Sequence, residues 1–475
     1  MIDHDQSSDN KRKPLLSVPS EELSASLPPY TDYPRYTDDP ELGGPLWVNT
    51  QISVRPVKAE KKRNCARRCH RVCLAFCTTL LLLICLPVFL RHFAWFNRIF
   101  ETELDPEVLR DCIDLADWQK GRMELDDLYN PNRDLKHIAA TTFELPVDSD
   151  LLYLVARGAL SHGKVTISSS GEEGSDKMVV HVRMQYAHED ALNRTKVCLL
   201  SPPEGGIGVG IFSPPTMIGS KWHTNIEIDV KLPPGSAGVP TIIKEFTTDM
   251  PLFMHRVHDM QTVLFESVSL STSLLPIVAN SLNAIEGVVS TTNAMIEGTF
   301  NTSSRLALRT SNAPIKATVF MFNDNEGSPT ELLAYTSNSR IDTIIELNST
   351  SANGTDGTFT VDARTSNAPI DVSTRSAPVG HALALTAETS NSPVTVALSP
   401  TWEGTFDVRT SSLFTSSVDV HTDIPDPAGQ GRIRRAFVRG VTRGHVEGFA
   451  EWEEGRRTVG RVNIGTSNSP LKLYV

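Results

Sequence analysis

The sequence predicts an all-β protein, specifically a β-solenoid or irregular parallel β-helix, with an antiparallel β-sandwich as the alternative. Three observations predict it. A T-S-N-x-P corner recurs through the C-terminal half of the 475 residues. Each copy is flanked by stretches in which apolar and polar residues alternate, the period of a two-faced strand. Gly, Pro, Asn and Ser clusters punctuate the remainder at the spacing of turns rather than helices. One uncharged run, Val72 to Leu90, adds a separate expectation of a transmembrane helix.

In chain order, residues 1–57 are rich in Ser, Pro, Asp and Tyr without apolar periodicity, and read as a disordered cytosolic tail. Within it Leu27-Pro28-Pro29-Tyr30 has the spacing of a WW-domain ligand, although ordinary linker is the simpler reading. Residues 58–71 carry seven Lys/Arg against one Asp/Glu. Residues 72–90 form the apolar run, which as a helix covers roughly 28 Å at about 1.5 Å per residue, close to a bilayer's hydrocarbon thickness. The basic flank places the N-terminus in the cytosol and the remainder beyond the membrane, so a single-pass membrane protein of type II orientation, with the lipid bilayer as a partner, is expected. The sequence leaves plasma membrane against endomembrane open. Cys65, Cys69 and Cys73 beside the basic run are candidates for S-palmitoylation, against the reading of cysteine as an apolar helix residue.

Residues 91–136 read as a stem, with a short acidic helix starting near Pro106. From 137 to 475 the texture is β. Leu151–Val155, Lys164–Ile167, Met178–Tyr186 and Asn225–Leu232 have strand composition. Cys112 and Cys198 are the only two cysteines after the apolar run, and a disulfide between them competes with two free thiols. Four N-glycosylation sequons follow the run, at Asn193, Asn301, Asn348 and Asn353.

The repeats are clear over residues 291–475. The corners are Thr310–Ile315, Thr336–Ile341, Thr365–Ile370, Thr389–Val394 and Thr466–Leu471, with a weaker copy at Thr291–Ile296 and a degenerate one at Thr410–Phe414. The central positions 293, 312, 338, 367, 391 and 412 lie 19, 26, 29, 24 and 21 residues apart, the period of stacked supersecondary units. Counted from the Asn, apolar residues fall four and six before it (Leu308 and Leu306, Val408 and Phe406) and three and five after it (Ile370 and Val372, Leu471 and Leu473). One such unit cannot bury its apolar face, whereas stacked copies can, with Asn side chains laddering between rungs and Asn tolerating a left-handed corner. Arg340 in place of Pro, and Ser412 in place of Asn, put the local rung geometry in question.

These corners, with the strands Gly357–Val361 and Gly404–Val408 before them, resemble the repeats of candidate-adhesin domains in bacteria. The whole layout resembles uncharacterised fungal single-pass membrane proteins. The resemblance covers roughly Phe143 to Val475, and implies a repeat type rather than an activity.

Residues 91–475 carry a net charge of −13, which argues against nucleic acid as a partner because phosphate contacts need Lys and Arg. No catalytic, cofactor or metal constellation stands out. Asp148-Ser149-Asp150 matches the D-x-D string of nucleotide-sugar transferases, but precedes a strand without any helix–strand alternation, so a polar turn is the better reading. Asp362, Asp371, Asp407 and Asp419 fall on outward strand positions, where a glycosidase pair could gather or an acidic face could be solvated. His181, His188, His255 and His258 lack metal-site spacing, and Trp402 and Trp452 are read as packing rather than sugar platforms. The expected function is a glycoprotein whose non-catalytic repeat domain serves surface contact, scaffolding or binding of a glycan or surface protein. A carbohydrate-active hydrolase, lyase or glycosyltransferase is the alternative.

Overall fold

The computed structural model describes residues 109–122, 135–202, 205–216, 222–236 and 238–475. The tail, the basic segment, the apolar run 72–90, Cys65, Cys69, Cys73 and the Leu27–Tyr30 motif lie outside them.

Within the described residues the chain is all-β, and its strands form two long rows whose apolar faces share one core. The middle of the first row runs β12 (Val263–Ser271), the second half of β13 (Ile277–Ser290), the second half of β14 (Ile296–Arg309), β16 (Thr330–Tyr335), β18 (Thr358–Arg364), β20 (Ala382–Glu388), β26 (Gly460–Gly465) and β22 (Gly404–Arg409), every pair parallel. The second row runs through the first halves of β13 and β14, then β15 (Ile315–Asn323), β17 (Ile341–Ser349), β19 (Ile370–Ser376), β21 (Val394–Ala397), β27 (Leu471–Tyr474) and β23 (Ser416–Asp419), also parallel. Each repeat therefore gives one strand to each row, with the T-S-N corner between them. Both rows continue on the N-terminal side through further parallel strands before turning antiparallel. The first ends on β7 (Lys196–Leu200) and β1 (Cys112–Leu115), and the second on β6 (Lys177–Tyr186), β3 (His137–Pro146) and β2 (Gln119–Arg122). At the other end β25 (His445–Glu451) and β24 (Arg435–Thr442) pair antiparallel onto β22.

The period-2 pattern explains the core. Leu306, Leu308, Val361, Ala363, Leu385, Ala387, Phe406, Val408, Val462 and Ile464 are buried, as are Ile315, Ile370, Val394, Leu471 and their partners two residues on. At about 25 cal/mol per Å2 such side chains contribute roughly 1.5–3 kcal/mol each when buried. The corners carry a second pattern. The Nδ2 of Asn312, Asn338, Asn367, Asn391 and Asn468 donates to the Oδ1 of Asn293, Asn312, Asn338, Asn367 and Asn391 respectively, at 2.7–2.8 Å. None of these six has a positive φ. Asparagine is thus there for its amide and not for a left-handed corner.

Two sequence expectations are corrected, and the stacking order is a further finding. No helix among the described residues is long and apolar enough to cross a membrane, which overturns the single-pass localisation with a cytosolic N-terminus. The one α-helix described, Glu189–Arg194, has six residues and spans about 9 Å against a hydrocarbon layer of about 30 Å. The stretch read as a short acidic helix holds strand β1, which covers the outer edge of β7, an edge that would otherwise expose unpaired backbone groups. Finally, the last repeat does not stack last. β26 and β27 sit between the rungs of β20/β21 and β22/β23, so Asn468 rather than Ser412 adjoins Asn391. Arg340 leaves its rung unchanged. Its carbonyl accepts from the Ile315 amide at 3.0 Å, as the Pro369 carbonyl does from Ile341, and its guanidinium pairs with Asp371.

Candidate functional site

In the first row, the residues that do not face the core form transverse lines across neighbouring strands. One line runs Tyr335, Arg364, Glu388, Gly465, Arg409. The next runs Asp362, Thr386, Asn463, Asp407, Glu447. A third runs Arg461, Thr405, Phe449, Phe437. Together they line an open groove of about 950 Å3 between Tyr335 and Arg409, floored on the corner side by Thr and Ser residues of the repeats. The groove exists because Gly465 has no side chain where its neighbours in the line have Glu388 and Arg409. A Cβ there would lie 3.5 Å from the Glu388 Cγ, in ordinary contact, so the strand tolerates a side chain that the sequence omits. A second recess of about 460 Å3 shares Asp407, Arg461 and Asn463 with the groove and ends on Phe437 and Phe449. These two rings stack at 6.0 Å, and Phe437 is 53% exposed.

Most of the charge in the groove is internally satisfied. Arg364 bonds Asp362 at 2.7 Å and Glu388 at 2.9 Å, and Arg409 bonds Asp407 at 2.5 Å. The Tyr335 hydroxyl donates to Asp362 at 2.7 Å, and burial first, then that carboxylate, pushes its pKa up to about 12. His445 Nε2 lies 3.3 Å from Asp407 Oδ1 without the alignment of a hydrogen bond. Arg461 differs: its Nε contacts Asn463 Oδ1 at 3.3 Å, and it has no carboxylate partner among the described residues.

The carboxylates singled out from sequence do not converge. Asp362 and Asp407 lie on the first row, three strands apart in register, which at about 4.8 Å per strand is roughly 14 Å. Asp371 and Asp419 lie on the second row. Asp148–Asp150 is an exposed turn in which Asp150 pairs with Lys244 at 2.6 Å. Trp402 and Trp452 are buried, and His255 is wholly buried between Thr248 and the Phe253 carbonyl. His188 caps the short helix, and His181 lies 3.0 Å from the Thr142 hydroxyl. Among the described residues no group of His, Cys, Asp and Glu could hold a metal ion. Asn193 and Asn353 are exposed, Asn348 is half-buried, and Asn301 donates its amide to Asn283. Cys112 and Cys198 are disulfide-bonded, their Cα atoms 5.7 Å apart.

Sequence reasoning missed Arg461, Gly465, Phe437 and Phe449. Only the period-2 alternation of Gly404–Val408 and of 460–465 carried a signal, and it could not say that the two strands adjoin.

No protein-family model and no curated protein matches the chain. Solved structures that it resembles include a candidate cell-adhesion protein from Clostridium sporogenes, at 9% identity over 70% of this chain and 99% of that one with a TM-score of 0.16. Two from Parabacteroides distasonis are a candidate adhesin (8% identity, 71% and 97% coverage, TM-score 0.26) and a candidate lipid-binding protein (9%, 70% and 96%, TM-score 0.20). These neighbours are bacterial surface-contact or lipid-binding candidates, and similarity at this level leaves function to be argued from the groove itself.

Proposed function

We propose that the β domain is a non-catalytic contact module, built as a β-solenoid, that holds an extended ligand along the outer groove of its first row. The run of parallel pairings from β12 to β26, with the register shifting between β13 and β14, supports the solenoid over a sandwich. The observation that carries the binding reading is Gly465. It is the last residue of β26, a Cβ there would meet Glu388 in ordinary contact, and so nothing in the packing demands glycine. What its absent side chain provides is the open channel between Glu388 and Arg409.

Two features support binding without turnover. Glycoside hydrolysis needs two carboxyl groups about 5–9.5 Å apart, one of them kept protonated as an acid. Glu388, Asp407 and its register neighbour Glu447 are instead each held in an ion pair within the protein, with Arg364, Arg409 and Arg439 respectively. The groove is also open along its length, so nothing excludes water from a reacting centre.

The test is Gly465→Val, which fills the channel and suits a strand. Unfolding midpoints at or above those of the original protein, with loss of binding to whichever polysaccharide or surface extract the original retains, are expected. Retained binding at the original affinity refutes the groove, and release of new reducing ends from a bound polysaccharide refutes the non-catalytic reading.

A further inference from the structure

The groove ends in a way that specifies its ligand more closely. Arg461 is the guanidinium in it without a carboxylate, whereas Arg364 and Arg409 are already engaged. In register with Arg461, across the small Thr405, lie Phe449 and then Phe437. Two strand spacings separate Arg461 from Phe449, roughly 9.6 Å between Cα atoms. Thr405, with its short side chain, leaves a shelf between them about the width of one sugar ring. A pyranose offers an apolar face of C–H groups and a rim of hydroxyls. The exposed Phe437 and the half-buried Phe449, which carries the Arg457 guanidinium over its ring at 5.2 Å, bring apolar surface to the first, and the Asn463 amide and Thr386 and Thr405 hydroxyls suit the second.

We propose that this shelf is a subsite for a uronic acid residue of an acidic oligosaccharide, with Arg461 binding the sugar carboxylate and the Phe437/Phe449 pair, Phe437 being the exposed member, packing against the sugar's apolar face. The inference rests on the groove reading above and names its ligand. A guanidinium matches a carboxylate by two parallel N–H···O bonds, which fixes the ring's orientation as well as its charge. An acidic peptide fits less well. The backbone N–H and C=O groups of β26, β22 and β25 are used in the sheet, so an extended peptide finds no main-chain partners on this face. Sugars carry their own donors and acceptors and need none.

The experiment measures binding of the full chain to tetragalacturonate, to its fully methyl-esterified form and to poly-L-glutamate, by calorimetry at 50 and 500 mM salt. Arg461 is exposed and its one hydrogen bond is to the Asn463 side chain on its own strand, so Arg461→Gln leaves the fold intact, which a urea midpoint verifies. Tetragalacturonate binding weakened about tenfold by Arg461→Gln, by Phe437→Ala and by esterification supports the proposal, since a charge-assisted pair exceeds a neutral hydrogen bond by about that factor. Ester and acid binding equally, with Arg461→Gln silent and Gly465→Val still abolishing both, overturns the acidic subsite and leaves the groove standing. Poly-L-glutamate bound through Arg461 with neither saccharide bound overturns the sugar class. No binding of any probe overturns the uronate subsite, and the Gly465→Val comparison with surface extracts then decides the groove by itself.

Discussion

Replacing Asn367 by alanine removes two side-chain bonds, the one it donates to Asn338 and the one it accepts from Asn391, both at 2.8 Å. Asn468→Ala, at the end of the ladder, removes one. An amide hydrogen bond contributes about 0.5–1.5 kcal/mol net. The abandoned groups are exposed and can turn to water, so no burial penalty is added. The interior variant is therefore expected to lose about 2 kcal/mol and the terminal one about 1 kcal/mol, in urea unfolding at pH 7 with unchanged m values. Hydrogen exchange localises the effect. The amides of Ser390 and Asn391 donate to Ser366, and those of Ser366 and Asn367 donate to Ser337, so these four should lose protection together. Asn367→Asp separates the two bonds, because a carboxylate still accepts from Asn391 but cannot donate to Asn338. At pH 7 this variant is therefore expected to lose about 1 kcal/mol, between the original and Asn367→Ala, in the same urea unfolding. If Asn367→Ala and Asn468→Ala are equal, and both within about 0.5 kcal/mol of the original, the ladder is ornament and the rungs are held by their cores alone.

Other perturbations test separate parts of the molecule. Burial lowers His255 to about 4, and the Phe253 carbonyl requires its Nδ1 to donate, which leaves Nε2 to accept from Thr248. The unfolded ring binds its proton near 6.5, so stability falls as pH drops from about 6.5 to about 4, by up to about 3 kcal/mol in total. His255→Gln should flatten that part of the urea-midpoint profile, and an unchanged slope would exclude His255 as its source. Glu403, 3% exposed, accepts from the Trp452 and Glu453 amides and from Arg456. Glu403→Ala leaves the Trp452 and Glu453 amides without their acceptor and Arg456, a third exposed, with only the Gly380 carbonyl, and should cost about 2–3 kcal/mol, read as lost amide protection in β26 and β27 before the central rungs. Reducing the Cys112–Cys198 bond opens a loop with a sequence separation of 86 and should cost about 2–5 kcal/mol, seen as a lower thermal midpoint in Cys198→Ser.

How the rungs are made was readable from the chain, and how they are ordered was not. The offsets of Leu306, Leu308, Ile370 and Leu471 from their Asn define strand, corner and strand within one repeat, because burial with period 2 is a local property. Stacking order is a contest between repeats with nearly the same apolar face, and local pattern does not decide it. The groove was illegible for the same reason. Arg461, Thr405 and Phe449 are 56 residues apart at their extremes, and only the pairing of β22 between β26 and β25 lines them up. Trp402 and Trp452, read from sequence as packing in preference to sugar platforms, are both buried.

The inserted final repeat has a physical cause. The repeat at 410–414 follows that at 389–394 in sequence, and direct stacking would close the shorter loop, an advantage that grows only slowly with loop length. Against it stands what each candidate brings to the rung of Asn391. The 466–471 repeat brings an amide, the bond from Asn468, and a register in which Val462, Ile464, Leu471 and Leu473 continue the buried files of β20 and β21. The 410–414 repeat has Ser412 at the amide position and ends in a four-residue strand, β23, half-exposed along its length. One hydrogen bond and the better apolar match exceed the entropy of the longer closure, so the weak copy is displaced to the end of the row, where no further Asn asks for a partner. The same displacement sets Gly465 between Glu388 and Arg409, and so opens the groove. Changing Ser412 to Asn would restore an amide to the terminal rung without reversing the order, because Asn468 would still fill the place beside Asn391.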